Sequence, residues 1–192
     1  QNALSLASSD ADQNIAIGNG AMSGNFTSAN INFNVAIGAS SQAGVLTANA
    51  SGTVSVGYQA LNALTSGNGN TAVGYASMAG GGTINTSTAV GYATLQNSTS
   101  GMVGNTAIGY GVLDAANNSG ADDNTGVGKE ALGQLSSGAQ NVAVGKDAGN
   151  VIQGGSNNVC IGKNANVSAA GASNQIAIGK DATGRGDNSA VL

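Results

Sequence analysis

The 192 residues include no histidine, no tryptophan, no proline, a single cysteine and two phenylalanines. Without histidine there is no base for a Ser-His-Asp triad and no imidazole ligand for zinc, so neither chemistry is expected. Charged residues make up 7% of the chain, against about 25% in a typical domain. Asn, Ser, Thr and Gly must therefore supply the surface that charges usually provide. Five basic residues and a net charge of -4 leave no phosphate-neutralising patch, so no nucleic-acid partner is expected. No run approaches the roughly 18 apolar residues of a membrane span, and no membrane insertion is expected of this segment. The chain opens at Gln1 without the charged start and apolar core of a signal peptide. Cys160 has no second cysteine to pair with and does not indicate a redox compartment.

Glycine is abundant instead. There are 32 glycines, one residue in six and more than twice the usual share of about 7%. They do not recur every third residue as collagen requires, and an apolar fraction of 41% is too high for a disordered linker.

The glycines punctuate a repeat. Its core reads NIAIG, NVAIG, TVSVG, NTAVG, STAVG, NTAIG, NTGVG, NVAVG, NVCIG and QIAIG. These copies close on Gly18, Gly38, Gly57, Gly74, Gly91, Gly109, Gly128, Gly145, Gly162 and Gly179, at spacings of 17 to 20 residues. Partial copies at Leu4 to Ala7 and Asn188 to Leu192 imply a single repetitive segment over residues 1–192, cut from a longer array.

Each column of the repeat has a physical reading. The residues three before and one before the glycine are Ile, Val or Thr in every copy, which predicts a strand. Between them stands Ala in seven copies and Ser55, Gly126 or Cys160 in the others. Strand side chains alternate, so this small column faces the opposite way. A strand apolar on both faces is buried on both. We expect the β-branched face to fill the coil interior and the small face to accept a close neighbour. The glycine suits a bend with positive φ or a close approach. A second, looser strand is expected at YQAL, YATL, YGVL and KEAL, followed by a polar loop of variable length. Two short strands per coil describe a β-roll, roughly 45 Å long at about 4.8 Å per coil. So thin a roll buries little surface for the entropy it loses, and three-fold packing on the small face would remedy this.

The N-x-A-[IV]-G core resembles the head repeats of YadA-like trimeric autotransporter adhesins. The longer form NTAVGY-x-[AS]-[LM], present at Asn70 to Met78 and approached at Asn105 to Leu113, is similar to repeats of bacteriophage tail fibres. The likeness covers residues 14 to 183. It implies an all-β, left-handed parallel β-roll of about ten coils, assembled as a homotrimer on a virion or bacterial cell surface. The implied role is structure and attachment to a host-surface glycan or protein. Two departures stand out: YadA-like heads have shorter coils, of about fourteen residues, and neither a membrane-anchor barrel nor a fibre chaperone segment is present. These features favour a tail fibre, with an adhesin head as the alternative.

Several columns are candidate sites. Tyr58, Tyr75, Tyr92 and Tyr110 follow the glycine in four successive coils, and Lys129, Lys146, Lys163 and Lys180 take the same place in the next four. The tyrosines read either as a glycan-stacking stripe or as a structural ladder at a turn. The lysines read either as a strip for anionic surfaces or as a solvated column balanced by Glu130, Asp147 and Asp181. Asn at seven of ten positions at the start of the core reads as a stacked amide ladder. Asp122 and Asp123 form a polar loop or part of a calcium site, although no spaced Asp pattern accompanies them. Thr71, Thr88, Thr106 and Thr125 align as an ice-binding array would, yet they replace Ile and Val at a strand position. A polysaccharide depolymerase would need paired carboxylates at a cleft, and the nine acids lie mostly in loops or beside lysines. No catalysis, cofactor or metal is expected.

Overall fold

A computed structural model describes residues 13–24, 26, 31–47, 49–99, 101–116 and 119–192. They form a parallel β-solenoid of about ten turns, with no helix among the described residues. Eleven short strands, from Ile15–Ile17 to Ala190–Val191, make one continuous parallel sheet. Each strand pairs with its equivalent one coil away, column on column: Ile15 lies opposite Val35, Thr88 opposite Thr106, and Cys160 between Ala143 and Ala177. The partial copy at the end adds the eleventh rung, through Ala190 and Val191. The copy at Leu4 to Ala7 lies outside the described residues.

The two faces of this sheet are reversed relative to the expectation from the sequence. The small column points inward: Ala36, Ser55, Ala72, Ala89, Ala107, Ala143, Cys160 and Ala177 are all fully buried. The β-branched columns point outward and are half-buried or exposed throughout, with Ile17 at 58% exposure and Ile108 at 41%. The reason is the thinness of the coil. The turn segment behind the sheet comes so close that only Ala, Ser, Cys or Gly fits between. At Gly126 a Cβ would meet the Cγ1 of Val112 at 2.5 Å. Val112 occupies a turn column otherwise filled by Ala, Ser and Thr, so Gly126 is the small partner that makes room for it.

The second strand is also displaced. YQAL and KEAL fold as turns, and in YATL and YGVL only the tyrosine ends a strand. A short second sheet forms further along the coil, from Leu64–Ser66, Gly82–Asn85 and Met102–Val103. In the turn, the residue two places after the closing glycine is left-handed in every coil, and the residue four places after it in the coils closed by Gly18 to Gly145, even where they are not glycine. Gln59 has φ 55° and Leu61 51°, Ala93 has 52° and Leu95 49°, Glu130 has 56° and Leu132 53°. Such conformations cost about 1–3 kcal/mol unless the surroundings fix them. Here the stack fixes them. The Gln59 N–H donates to the Ala39 carbonyl of the preceding coil, and the Leu61 N–H to the Ser77 carbonyl of the next.

The larger side chains fill the remaining interior. Met22, Leu61, Met78, Leu95, Leu113 and Leu132 occupy one buried column, and Ile84, Met102 and Phe26 join the same core from further along the coil. Gln42 interrupts this column. It is fully buried, and neither its side-chain oxygen nor its nitrogen finds a hydrogen-bond partner among the described residues. An unmade buried hydrogen bond costs about 1–3 kcal/mol. Leu61 and Leu95 adopt the φ of Gln42 in the same column, so Gln42→Leu is expected to stabilise the fold by that amount. A higher denaturation midpoint checks it.

Candidate functional site

The closing glycines, Gly18 to Gly179, have φ between 124° and 140°. A Cβ on Gly109 would lie 2.7 Å from the carbonyl oxygen of Gly128, and one on Gly74 would overlap the carbonyl of Gly91. Both the bend and the close approach between coils therefore call for glycine.

The Asn column is internal and structural. Asn34, Asn70, Asn105, Asn124, Asn141 and Asn158 are fully buried. The Nδ2 of Asn124, Asn141 and Asn158 donates to the Oδ1 of the preceding Asn at 3.0 to 3.1 Å. Each Oδ1 also accepts the backbone N–H of the next coil, as Asn141 does from Asn158 at 3.0 Å. The Nδ2 groups also donate across their own coil, as Asn124 does to the Gly138 carbonyl and Asn141 to the Gly155 carbonyl, both at 2.9 Å, so these buried amides are spent within the stack.

The tyrosines stack along the solenoid axis. Centroids are 5.2, 4.9 and 5.2 Å apart, and the last two pairs are within 6° of parallel. About half of each residue is exposed, 46% to 50%, but the ring faces turn toward one another. A saccharide approaching the middle of the stripe meets ring edges. The Nζ of Lys129 continues the stack, 5.5 Å from the Tyr110 centroid. Tyrosines and lysines are thus one column whose identity changes between coils. Stacked pairs are worth about 0.5–1.5 kcal/mol each beyond burial. Replacing Tyr58, Tyr75, Tyr92 and Tyr110 together by Ser removes three pairs and is expected to lower stability by about 1.5–4.5 kcal/mol, measured by chemical denaturation.

Lys129, Lys146 and Lys180 pair with the next residue at 3.2, 3.3 and 3.5 Å, to Glu130, Asp147 and Asp181. Lys163 is followed by Asn164, whose Nδ2 donates instead to Asp181 at 2.7 Å. That hydrogen bond, followed by the neighbouring lysines, lowers the Asp181 pKa. Exposed pairs of this kind contribute about 0–1 kcal/mol.

The remaining candidates separate. Asp122 Oδ1 accepts the backbone N–H of Val103 at 2.9 Å, and no group of three metal-binding acids, cysteines or histidines occurs among the described residues. Burial pushes the Cys160 thiol up to about 11, so it is held protonated in the small column. Thr71, Thr88, Thr106 and Thr125 lie on the outward strand face, half-buried. No helix among the described residues is long and apolar enough to cross a membrane.

One site escaped the reading by columns. A surface depression of about 280 Å³ opens where tyrosine gives way to lysine, lined by Tyr110, Asp114 and Glu130. Gly111, Gly133, Gln134 and Asn150 complete its lining. Asp114 is half-buried, accepts Asn97 Nδ2 at 3.1 Å, and has its pKa raised by burial. The signal in the sequence was the two glycines. Gly111 stands where neighbouring coils carry Ala93 and Glu130, and Gly133 where they carry Asp114 and Asn150.

Comparison of the chain with protein-family models, with curated proteins and with solved structures finds no match.

Proposed function

We propose that this chain is a structural and host-attachment segment of a homotrimeric virion fibre of the tail-fibre kind, its coils left-handed. The observation that supports this most is the outward strip of Ile, Val and Thr, two columns wide and roughly 45 Å long by the coil spacing. Soluble monomers rarely expose apolar patches beyond a few hundred Å². A second and third copy, presenting the same strip in register, would cover it around an axis. The small interior column cannot serve as the interface, because the coil's own turn already covers it. Assembled in this way, a chain with so few charges would present mainly its Asn-, Ser- and Thr-rich turns to solvent.

The N-x-A-[IV]-G core supports a second reading, the head of a bacterial trimeric adhesin. The parent gene separates the two. A baseplate-attachment region or a fibre chaperone marks the virion, and a C-terminal barrel marks the adhesin. Sedimentation of the folded chain, followed by labelling of candidate host cells, tests what both share. Three chains per particle and decorated cells are expected, and a stable monomer that marks no cell would overturn the reading.

A further inference from the structure

We propose that the depression between Tyr110, Asp114 and Glu130 is a binding subsite for one neutral pyranose unit of a surface glycan. The inference rests on reading the segment as an attachment element, and it moves the contact from the tyrosine stripe to one place on it.

The argument begins with the two glycines. Gly111 has φ 57°, but Ala93 and Glu130 adopt 52° and 56° in the same column, so the backbone does not call for glycine there. Gly133 is not left-handed at all. A Cβ on Gly133 would come within 3.0 Å of Asn150 Oδ1. Neither glycine closes a coil, and together they hold open the space that side chains fill elsewhere.

The groups around that space suit a polyhydroxylated ring. Carboxylates accept hydrogen bonds from vicinal hydroxyls, the amides of Gln134 and Asn150 both donate and accept, and the Tyr110 ring offers an apolar edge beside them. The volume of about 280 Å³ lies just under the usual range of ligand sites, about 300–1,000 Å³, and suits a single sugar ring. Two carboxylates disfavour an anion. A cation is already supplied, since Lys129 sits 3.2 Å from Glu130 and over Tyr110. A neutral ligand remains. The site lies on the turn side of the closing-glycine bend, away from the strand strip, so a trimer carries three open copies. Weak sites repeated in this way bind a multivalent surface with a gain of orders of magnitude.

The test is titration of the full chain with the methyl glycosides of glucose, galactose, mannose and N-acetylglucosamine, followed by the backbone amide signals of Gly111 and Gly133. One of these sugars is expected to shift both signals saturably. Gly133→Asn installs the side chain that Asn150 carries one coil away, and its closest contact, the flexible end of Asn150, need give only a few tenths of an ångström. This variant should keep the circular dichroism of the parent and weaken that sugar about tenfold or more. Asp114→Asn should weaken it by a similar factor, the usual effect of losing a charged hydrogen bond. Signals that stay fixed with every sugar, or a Gly133→Asn variant that binds unchanged, would overturn the proposal. Cell labelling separates the two levels. A parent chain that marks cells while its Gly111 and Gly133 signals stay fixed with every sugar removes the subsite but leaves attachment standing. Saturable sugar shifts in a chain that marks no cell keep the subsite and remove attachment.

Discussion

Gly109→Val is expected to unfold its coil and to lower the stability of the chain by about 2–6 kcal/mol. Two costs add. A β-branched residue held at the φ of 140° seen at Gly109 stores about 1–3 kcal/mol of strain. Its Cβ, 2.7 Å from the Gly128 carbonyl oxygen, adds an overpacking cost of about 1–3 kcal/mol. The stack cannot relax cheaply. Moving the carbonyl would break the hydrogen bond it accepts from Ala131 N–H, and rotating the residue would strain the bond from Gly128 N–H to the Ile108 carbonyl that sets the register of the rung. Gly52→Asn is the control. Gly52 has φ 65° with nothing within 4 Å of a Cβ, and Asp123 and Asn157 hold 55° and 61° in its column. That variant should stay within about 0.5 kcal/mol of the parent. Denaturant melts of both decide the matter, and equal midpoints for Gly109→Val and the parent would show that the column serves neither the bend nor the close approach.

The columns of the repeat made the strands, their parallel register and the coil count legible, because β-branched residues alternate with small ones at a fixed offset from each glycine. The direction of the sheet was not legible. Both faces of Val35–Ile37 or Val142–Val144 are apolar, so alternation distinguishes the faces without saying which is inside. The width of the coil decides it, and that width follows from how closely the turn at Val112 approaches Gly126. The turn itself was misread for a related reason. Leu61, Leu95 and Leu113 sit at positive φ with none of the Gly or Asn signals that mark such positions, because inter-coil hydrogen bonds hold them there and no local preference does. The tyrosine and lysine columns were visible as columns, but only ring centroids show that the faces are spent on one another. The depression at Tyr110 needed the stack: Gly111, Asp114, Gly133 and Asn150 come from three successive coils, and their meeting is a property of adjacent rungs rather than of any motif.

In the proposed trimer, Ile108→Lys combined with Val144→Lys should separate the chains while leaving each coil folded. Both residues lie on the outward strip, 41% and 39% exposed in the single chain. Their side chains can leave the strip without disturbing the interior, where Ala107 and Ala143 are fully buried beneath them. At an interface each substitution loses the burial of an apolar side chain, about 1.5–3 kcal/mol, and adds an ammonium whose unpaired burial costs several kcal/mol more. Three chains repeat both defects, so dissociation should be complete at micromolar concentration. Ala107→Leu with Ala143→Leu gives the opposite pattern. Those side chains have no space inside the coil, and the variant should lose its strand signal as it loses assembly, at about 1–3 kcal/mol per site. Sedimentation and circular dichroism on the two variants therefore identify the interface. A lysine variant that remains three-chained places the contact off the strip, and a leucine variant that stays folded but becomes monomeric would return it to the small-residue face.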